Sequence, residues 1–310
     1  MTLVQLEYIV AVDTYRSFVG AAEKCFVTQP TLSMQVQKLE EMLNVKIFDR
    51  SKQPVIPTEI GSQIIQQARI VLQESQKIKE IINSQQQDIV GELKVGIIPT
   101  VAPYLLPQVI ASMMEKYPDL KLLIWEYTTE DIIHHLKTGV LDCGIMATPV
   151  NEPGIAEVPM YYETFVTYIS KNSKLFKKKT ISSADLEEEN IWLLNEGHCM
   201  RSQVLNICRS TKDSRLQGLT YNTGSVETLI RMVDMNNGAT LLPELALVDL
   251  NSKQLSKVRA FKDPEPVREI SLVTHSNFIK KRMLNAFREE ILAVIPKAMK
   301  QKKKKDVVGI

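Results

Sequence analysis

Phe26-Val27-Thr28-Gln29-Pro30-Thr31-Leu32-Ser33-Met34-Gln35-Val36-Gln37-Lys38-Leu39-Glu40 is the stretch on which the reading of this chain turns. Leu32, Val36, Leu39 and Leu43 recur at intervals of four, three and four, the period of a helix with one buried stripe. Thr28 is placed to cap that helix, and Pro30 falls in its first turn, where a missing N–H costs no hydrogen bond. Upstream, Leu3, Leu6, Ile9, Val10 and Val12 form one apolar stripe. Phe18, Ala21, Ala22 and Cys25 form another, short and rich in small residues that suit a close helix crossing. Only Phe26-Val27-Thr28 separates the second helix from the third, which is turn length for a helix-turn-helix.

The third helix turns Gln29, Thr31, Ser33, Gln35 and Lys38 away from its apolar stripe. Short hydroxyl and amide side chains suit base edges in a major groove, and a lysine suits phosphates. The plain alternative is a solvated helix face. Two short extended runs around Ser51-Lys52-Gln53-Pro54 then read as a β-wing, with Arg50 and Lys52 available to a sugar-phosphate backbone. From Thr58 to about Gln87, Ile64, Ala68, Val71, Ser75, Ile78 and Ile82 repeat in heptads. That pattern predicts one long helix paired with a second copy of itself, the alternative being a helix packed on its own domain. A dimer of reading heads would bind a DNA site of roughly two-fold symmetry.

After a hinge at Asp88-Ile89-Val90-Gly91, β and α patterns alternate. Strands over 93–98, 122–125 and 142–146 and helices over 105–117 and 132–138 predict a βαβ lobe. Strands over 165–170, 191–194, 218–221 and 239–242, with helices after Cys199 and over 226–235, predict a second lobe. A strand over 270–274 and a helix over 278–294 return to the first. Two crossings between similar lobes leave a cleft, the default ligand position. The fold class is therefore α/β: an all-α winged helix-turn-helix (1–58), a linker helix (59–90) and a two-lobed regulatory domain (91–300). Lobe I takes about 91–162 and 269–298, and lobe II about 163–268. A basic tail, 299–310, reads as solvated.

The 310 residues suffice for two domains and a sizeable core, and the net charge of +2 decides little. No apolar run nears the roughly 20 residues a bilayer span needs, and the N-terminus lacks the basic region and apolar core of a signal peptide. The expectation is a cytoplasmic protein, with no membrane partner. Four cysteines in such a chain are too sparse for a disulfide scaffold; in a reducing compartment a disulfide is sensory or transient.

Gly197-His198-Cys199-Met200-Arg201-Ser202, with Cys208 nine residues after Cys199, carries the chemistry. A helix N-terminus, His198 and Arg201 would all favour the Cys199 thiolate. Nine helical residues rise roughly 13 Å, whereas a disulfide needs Cα atoms within about 7 Å. If the two cysteines pair, the helix must unwind. The alternatives are two buried small hydrophobes, or a zinc site from His198, Cys199, Cys208 and Cys143. The spacing is poor for zinc, so no metal and no cofactor are expected. Cys25 and Cys143 read as core.

Leu6-Glu7-Tyr8, Ala21-Ala22, Gln29-Pro30-Thr31-Leu32-Ser33, Lys38-Leu39-Glu40 and Phe48-Asp49-Arg50 resemble the LysR-type transcriptional regulators. Ile98-Pro99-Thr100-Val101-Ala102-Pro103-Tyr104, Leu141-Asp142-Cys143 and Gly197-His198-Cys199-Met200-Arg201 are similar to the peroxide-sensing branch of that family. The resemblance implies a non-enzymatic DNA-binding activator whose regulatory domain is built like a periplasmic binding protein. It implies that Cys199 attacks hydrogen peroxide and condenses with Cys208, and that Thr100, Thr129, His198 and Arg268 bind the peroxide. It implies base-reading roles for Thr31, Ser33 and Gln35, a homotetramer built from dimers, RNA polymerase as a partner, and a thiol reductant of the glutaredoxin or thioredoxin type. One departure stands out: the family usually has an acid after the arginine of this motif, and here it is Ser202. Two rivals remain: a LysR-type regulator answering a small metabolite in the cleft, and a thiol peroxidase fused to a DNA-binding head.

Overall fold

The computed structural model describes residues 1–83, 89–208, 223–278, 280–300 and 307–309. The chain divides into two compact units. One is built on Met1–Gln87, with Thr138–Val140 and Asn277–Lys280 grouped with it. The other comprises Asp88–Lys137, Leu141–Ser276 and Lys281–Ile310.

The first unit opens with α1 (Leu3–Tyr15), α2 (Phe18–Lys24) and α3 (Gln29–Leu43). Each starts on a hydroxyl cap: Thr2, Ser17 and Thr28 accept from backbone N–H groups of the first turn. Asn44 ends α3 in the left-handed region. Leu32, Val36 and Leu39 pack with Leu6, Ile9, Val12, Ala21 and Ala22 in one core. Truncating any of the three leucine or valine positions of α3 costs roughly 1–5 kcal/mol. The wing is a minimal hairpin, β1 (Phe48–Asp49) against β2 (Ile56–Pro57). Buried Glu40 fixes its base: its carboxylate accepts from the N–H groups of Ile47 (2.8 Å) and Phe48 (3.2 Å) and from Arg50 Nη2 (3.2 Å).

The linker is one helix, α4 (Glu59–Asn83). Its heptad positions divide. Ala68 is buried in the core of this unit, Ile64 and Val71 pack against that core, and Ile78 is exposed. Arg69 Nη2 ties α4 to Asp13 of α1 at 2.8 Å. The first half of the expected pairing seam therefore serves the domain's own core.

In the second unit, β3 (Gly91–Ile97) lies parallel to β4 (Leu120–Glu126) and to β5 (Cys143–Thr148). Helices α5 (Ala102–Lys116) and α6 (Thr129–Thr138) make the crossovers. β6 (Ile155–Ile169) and β10 (Val267–His275) run antiparallel along most of β10, with a register shift at Ile270/Ser271. The first half of β6 follows β10 beside β5, while its second half pairs with β8 (Ala239–Pro243) and β9 (Val258–Phe261). β7 (Thr180–Ile181) pairs with β9 in parallel. One long strand thus joins both lobes where the sequence suggested a strand over 165–170 alone. The lobe II helices are α7 (Cys199–Cys208), α8 (Val226–Met235) and the short α9 (Ser252–Leu255); α10 (Lys281–Val294) packs on α5.

Three expectations shift. The helix expected over 132–138 begins earlier, at Thr129, because Thr128 caps it through its contacts with Asp131. The helix expected from 278 begins at Lys281. Residues 191–194 form a single bridge, Ile191 to Ala239, because the Trp192 carbonyl accepts from the Thr240 hydroxyl (2.8 Å) instead of extending a ladder. The strand expected over 218–221 lies outside the described residues, as does 301–306 of the basic tail.

Candidate functional site

Gly197 has φ +90, a left-handed conformation that glycine adopts without a Cβ penalty. It turns the chain so that Cys199 is the first residue of α7 and Cys208 the last. Both thiols are free and buried. The helix start leaves N–H groups without intrahelical acceptors, so the positive end of α7 falls at Cys199. Burial pushes the Cys208 thiol up to about 12, so it is protonated at neutral pH. The two sulfurs are thereby separated by a helix length and differ in surroundings.

Burial pushes the half-buried His198 imidazole below its usual range. The lowered value favours the neutral imidazole, which keeps one ring N–H as a donor. Its position is set by Gly224, where even a Cβ would stand 2.9 Å from His198 Nε2. Arg201 Nη1 reaches back to the Leu194 carbonyl (3.0 Å), and the Arg201 N–H donates to the His198 carbonyl (2.9 Å). The guanidinium thus braces the Leu194–Cys199 turn. Ser202 is exposed on α7.

The other expected ligand-binding residues fall at strand ends. Thr100 follows β3, is buried, and accepts from Arg268 Nη1 (3.0 Å) at its hydroxyl and from Arg268 Nη2 (3.1 Å) at its carbonyl. Arg268 is 1% exposed, and its Nε donates to Glu163 Oε1 at 2.9 Å. Burial raises the Glu163 carboxyl, and the Arg268 charge and the Leu245 N–H work against that rise. With its oxygen accepting from Arg268, the Thr100 hydroxyl has its own hydrogen to donate elsewhere. Every nitrogen of the Arg268 guanidinium donates to Glu163 or Thr100, so Arg268 holds Thr100 in place.

Thr129 is the first residue of α6, 8% exposed, and its hydroxyl has no hydrogen-bond partner in the structure. Native proteins rarely leave such a group unpaired, because it costs about 1–3 kcal/mol. Gly197 abuts this helix start: a Cβ on it would lie 3.7 Å from Thr128 Cγ2. Asn195 Oδ1 is buried without a partner as well, 3.9 Å from the same Gly224 Cβ position that His198 approaches. The sequence reading missed Glu163, Asn195 and Gly224. Among the described residues, no group of three or more His, Cys, Asp or Glu side chains is gathered to hold a metal ion.

In the first unit, Gln29, Thr31 and Lys38 are exposed on α3. Ser33 accepts from Arg50 Nη1 (3.1 Å), and Gln35 accepts from Gln5 Nε2 (3.3 Å), so these two are oriented by neighbours. Arg50 also lies over the Phe18 ring, 4.8 Å from its centre. Phe26, in the turn before α3, is 95% exposed with φ +56.

Residues 3–62 match the bacterial regulatory helix-turn-helix protein, lysR family, and residues 86–296 match the LysR substrate binding domain. The chain is 35% identical over 273 residues to the hydrogen peroxide-inducible genes activator of Haemophilus influenzae, covering 88% of this chain and 90% of that one. It superposes on a full-length Pseudomonas aeruginosa OxyR with a Cys-to-Asp substitution at TM-score 0.79 and 35% identity, covering 94% and 98%. A hydrogen peroxide-bound cysteine mutant of Corynebacterium glutamicum OxyR matches at TM-score 0.61 and 28% identity, covering 94% and 92%. These matches cover the reading head, the linker and both lobes, so the chain belongs to the LysR family of DNA-binding transcriptional regulators, which are not enzymes.

Proposed function

We propose that this protein is a transcriptional regulator that senses hydrogen peroxide through Cys199 and Cys208. The observation that carries the proposal is that Gly197, two residues before Cys199 at the start of α7, approaches Thr128, the residue before the unpartnered buried hydroxyl of Thr129. The Cys199 thiolate attacks one peroxide oxygen, the O–O bond breaks, and the sulfur becomes a sulfenic acid while hydroxide departs. Thr129, Thr100 and the His198 N–H are the donors offered to the departing oxygen. Protonation gives the first water. The Cys208 thiol then condenses with the sulfenic acid, forming the S–S bond and the second water. Two thiols and one peroxide yield one disulfide and two waters. A dithiol reductant of the thioredoxin or glutaredoxin class returns both thiols by exchange.

On this reading α7 must unwind for the sulfurs to meet, and the altered lobe changes how the DNA-bound assembly contacts RNA polymerase. Ile78, exposed on the second half of α4 at a heptad position, supports assembly into dimers, and pairs of dimers make the tetramer. Gln29, Thr31 and Lys38 contact the operator, a site of dyad symmetry, with Ser33, Gln35 and Arg50 fixing the register. DNA footprinting of the parent, Cys199→Ser and Cys208→Ser proteins with and without peroxide tests this. The parent footprint shifts with peroxide and both variants stay in the reduced pattern. A shift that persists in Cys199→Ser, or that only a small metabolite elicits, overturns the proposal.

A further inference from the structure

Residues Val307–Gly309 lie along the redox helix. Val307 forms a parallel bridge with Val267, at the start of β10, and the Val308 N–H donates to the Val267 carbonyl at 2.8 Å. This is a strand added where β10 begins, on backbone that β5 does not reach, since β5 pairs only with Glu269 to Val273. The other side of the added strand is held by α7. Gln203 Nε2 donates to the Val308 carbonyl (3.1 Å) and Asn206 Nδ2 to the Gly309 carbonyl (3.2 Å). Gln203 is fully buried and makes this contact with the amide nitrogen, its amide oxygen having no partner. Beside it lies a groove of ≈ 400 Å³ lined by Asn206, Ile207, Phe261, Pro264, Pro266 and Val308.

We infer that the edge between α7 and the start of β10, flanked by this groove, is a peptide-docking site on which Val307–Gly309 lies as a strap that holds α7 helical in the dithiol state. Gln203 and Asn206 are one turn apart, and both lie between Cys199 and Cys208. Their two anchors keep register with successive carbonyls of the strap only while α7 is a helix. Drawing the sulfurs together unwinds that turn, removes both donors and frees the strap. Conversely, strap occupancy opposes unwinding and so sets how much oxidant is needed. The release step rests on the Cys199–Cys208 pairing proposed above; the helix-holding role in the dithiol state does not.

Hydrogen exchange of the full chain under reducing conditions tests the strap by itself. Ending the chain after Asp306 is expected to speed exchange of the α7 amides about tenfold, the effect of losing a few native hydrogen bonds, while β3 and α5 amides are unchanged. Val308→Pro keeps the chain length and removes the N–H that meets Val267, so it should produce the same local change if the truncated protein is generally unstable. A synthetic peptide of residues 305–310 added to the truncated protein should restore protection. Unchanged α7 exchange in both variants overturns the inference. After peroxide, the Val308 amide of the parent should lose protection, and the truncated protein should reach half-oxidation at several-fold less peroxide. If thiol mapping shows no Cys199–Cys208 link in the parent, the pairing fails while the reduced-state exchange still judges the strap. If the link forms and Val308 stays protected, the coupling fails and the pairing stands.

Discussion

Thr129→Val should make the reduced protein more stable and worse at reacting with peroxide. The substitution keeps the branched shape and removes only the hydroxyl. That hydroxyl is buried and accepts or donates no hydrogen bond within the protein. An unpaired buried polar group costs about 1–3 kcal/mol, so its removal should return roughly 1 kcal/mol. Across a unit of this size, 1 kcal/mol shifts Tm by about 2–4 °C, upward here. On the proposed chemistry the same change deletes a donor to the departing peroxide oxygen, and loss of one such donor slows chemistry by about 10²-fold. Scanning calorimetry of the reduced protein reads the first effect. Quenched-flow mass analysis of Cys199 oxidation reads the second. Thr129→Ser, which keeps the hydroxyl, should retain most of the rate. A Thr129→Val protein that oxidises at the parent rate refutes the placement of Thr129 in the site, whatever its Tm.

Glu40→Ala strips the acceptor from the Ile47 and Phe48 N–H groups and the partner from Arg50, and should destabilise the first unit by about 2–4 kcal/mol in a denaturant titration. Phe26→Gly relieves a left-handed backbone at an exposed position and should stabilise the same unit by about 1 kcal/mol, read by the same titration. Cys208 has its folded pKa raised to about 12 against 9.0 as a free thiol. Its contribution to stability is full below about pH 9 and is lost as pH rises toward about 12, because the unfolded chain releases its proton first. The checkable consequence is that alkylation of Cys208 in the reduced parent lags that of an unfolded control throughout pH 9–11, with the stability difference between parent and Cys208→Ala shrinking over the same window.

The reading head was legible because its signals are local. Thr28, Pro30 and the Leu32–Val36–Leu39 stripe are caps and periodicities contained in a single helix, and they appear where they were expected. The βαβ order of the first lobe was legible for the same reason. What escaped were contacts made across long stretches of chain. Glu163 meets Arg268 from 105 positions away, and Tyr104 donates to Glu227 (2.6 Å) across 123. Nothing in the spacing of either residue announces such a partner. The heptads of α4 illustrate the opposite difficulty: Ala68 and Val71 satisfy a pairing pattern and a domain core equally well, and only packing reveals that the core uses them. At the candidate site, Cys199, Cys208, Thr129 and His198 were legible as residue types. The lowered His198 imidazole and the Glu163–Arg268–Thr100 contacts follow from burial, which a sequence does not display.

On the proposed function, one peroxide links two sulfurs that a folded helix holds apart. Reduced protein treated with one equivalent of hydrogen peroxide, then alkylated, digested and weighed, tests it most directly. The expected product is a Cys199–Cys208 linked peptide pair lighter than its dithiol form by two hydrogens, with Cys25 and Cys143 fully alkylated. Cys199 left as a sulfenic or sulfinic acid, with Cys208 still alkylated as a free thiol, would contradict it.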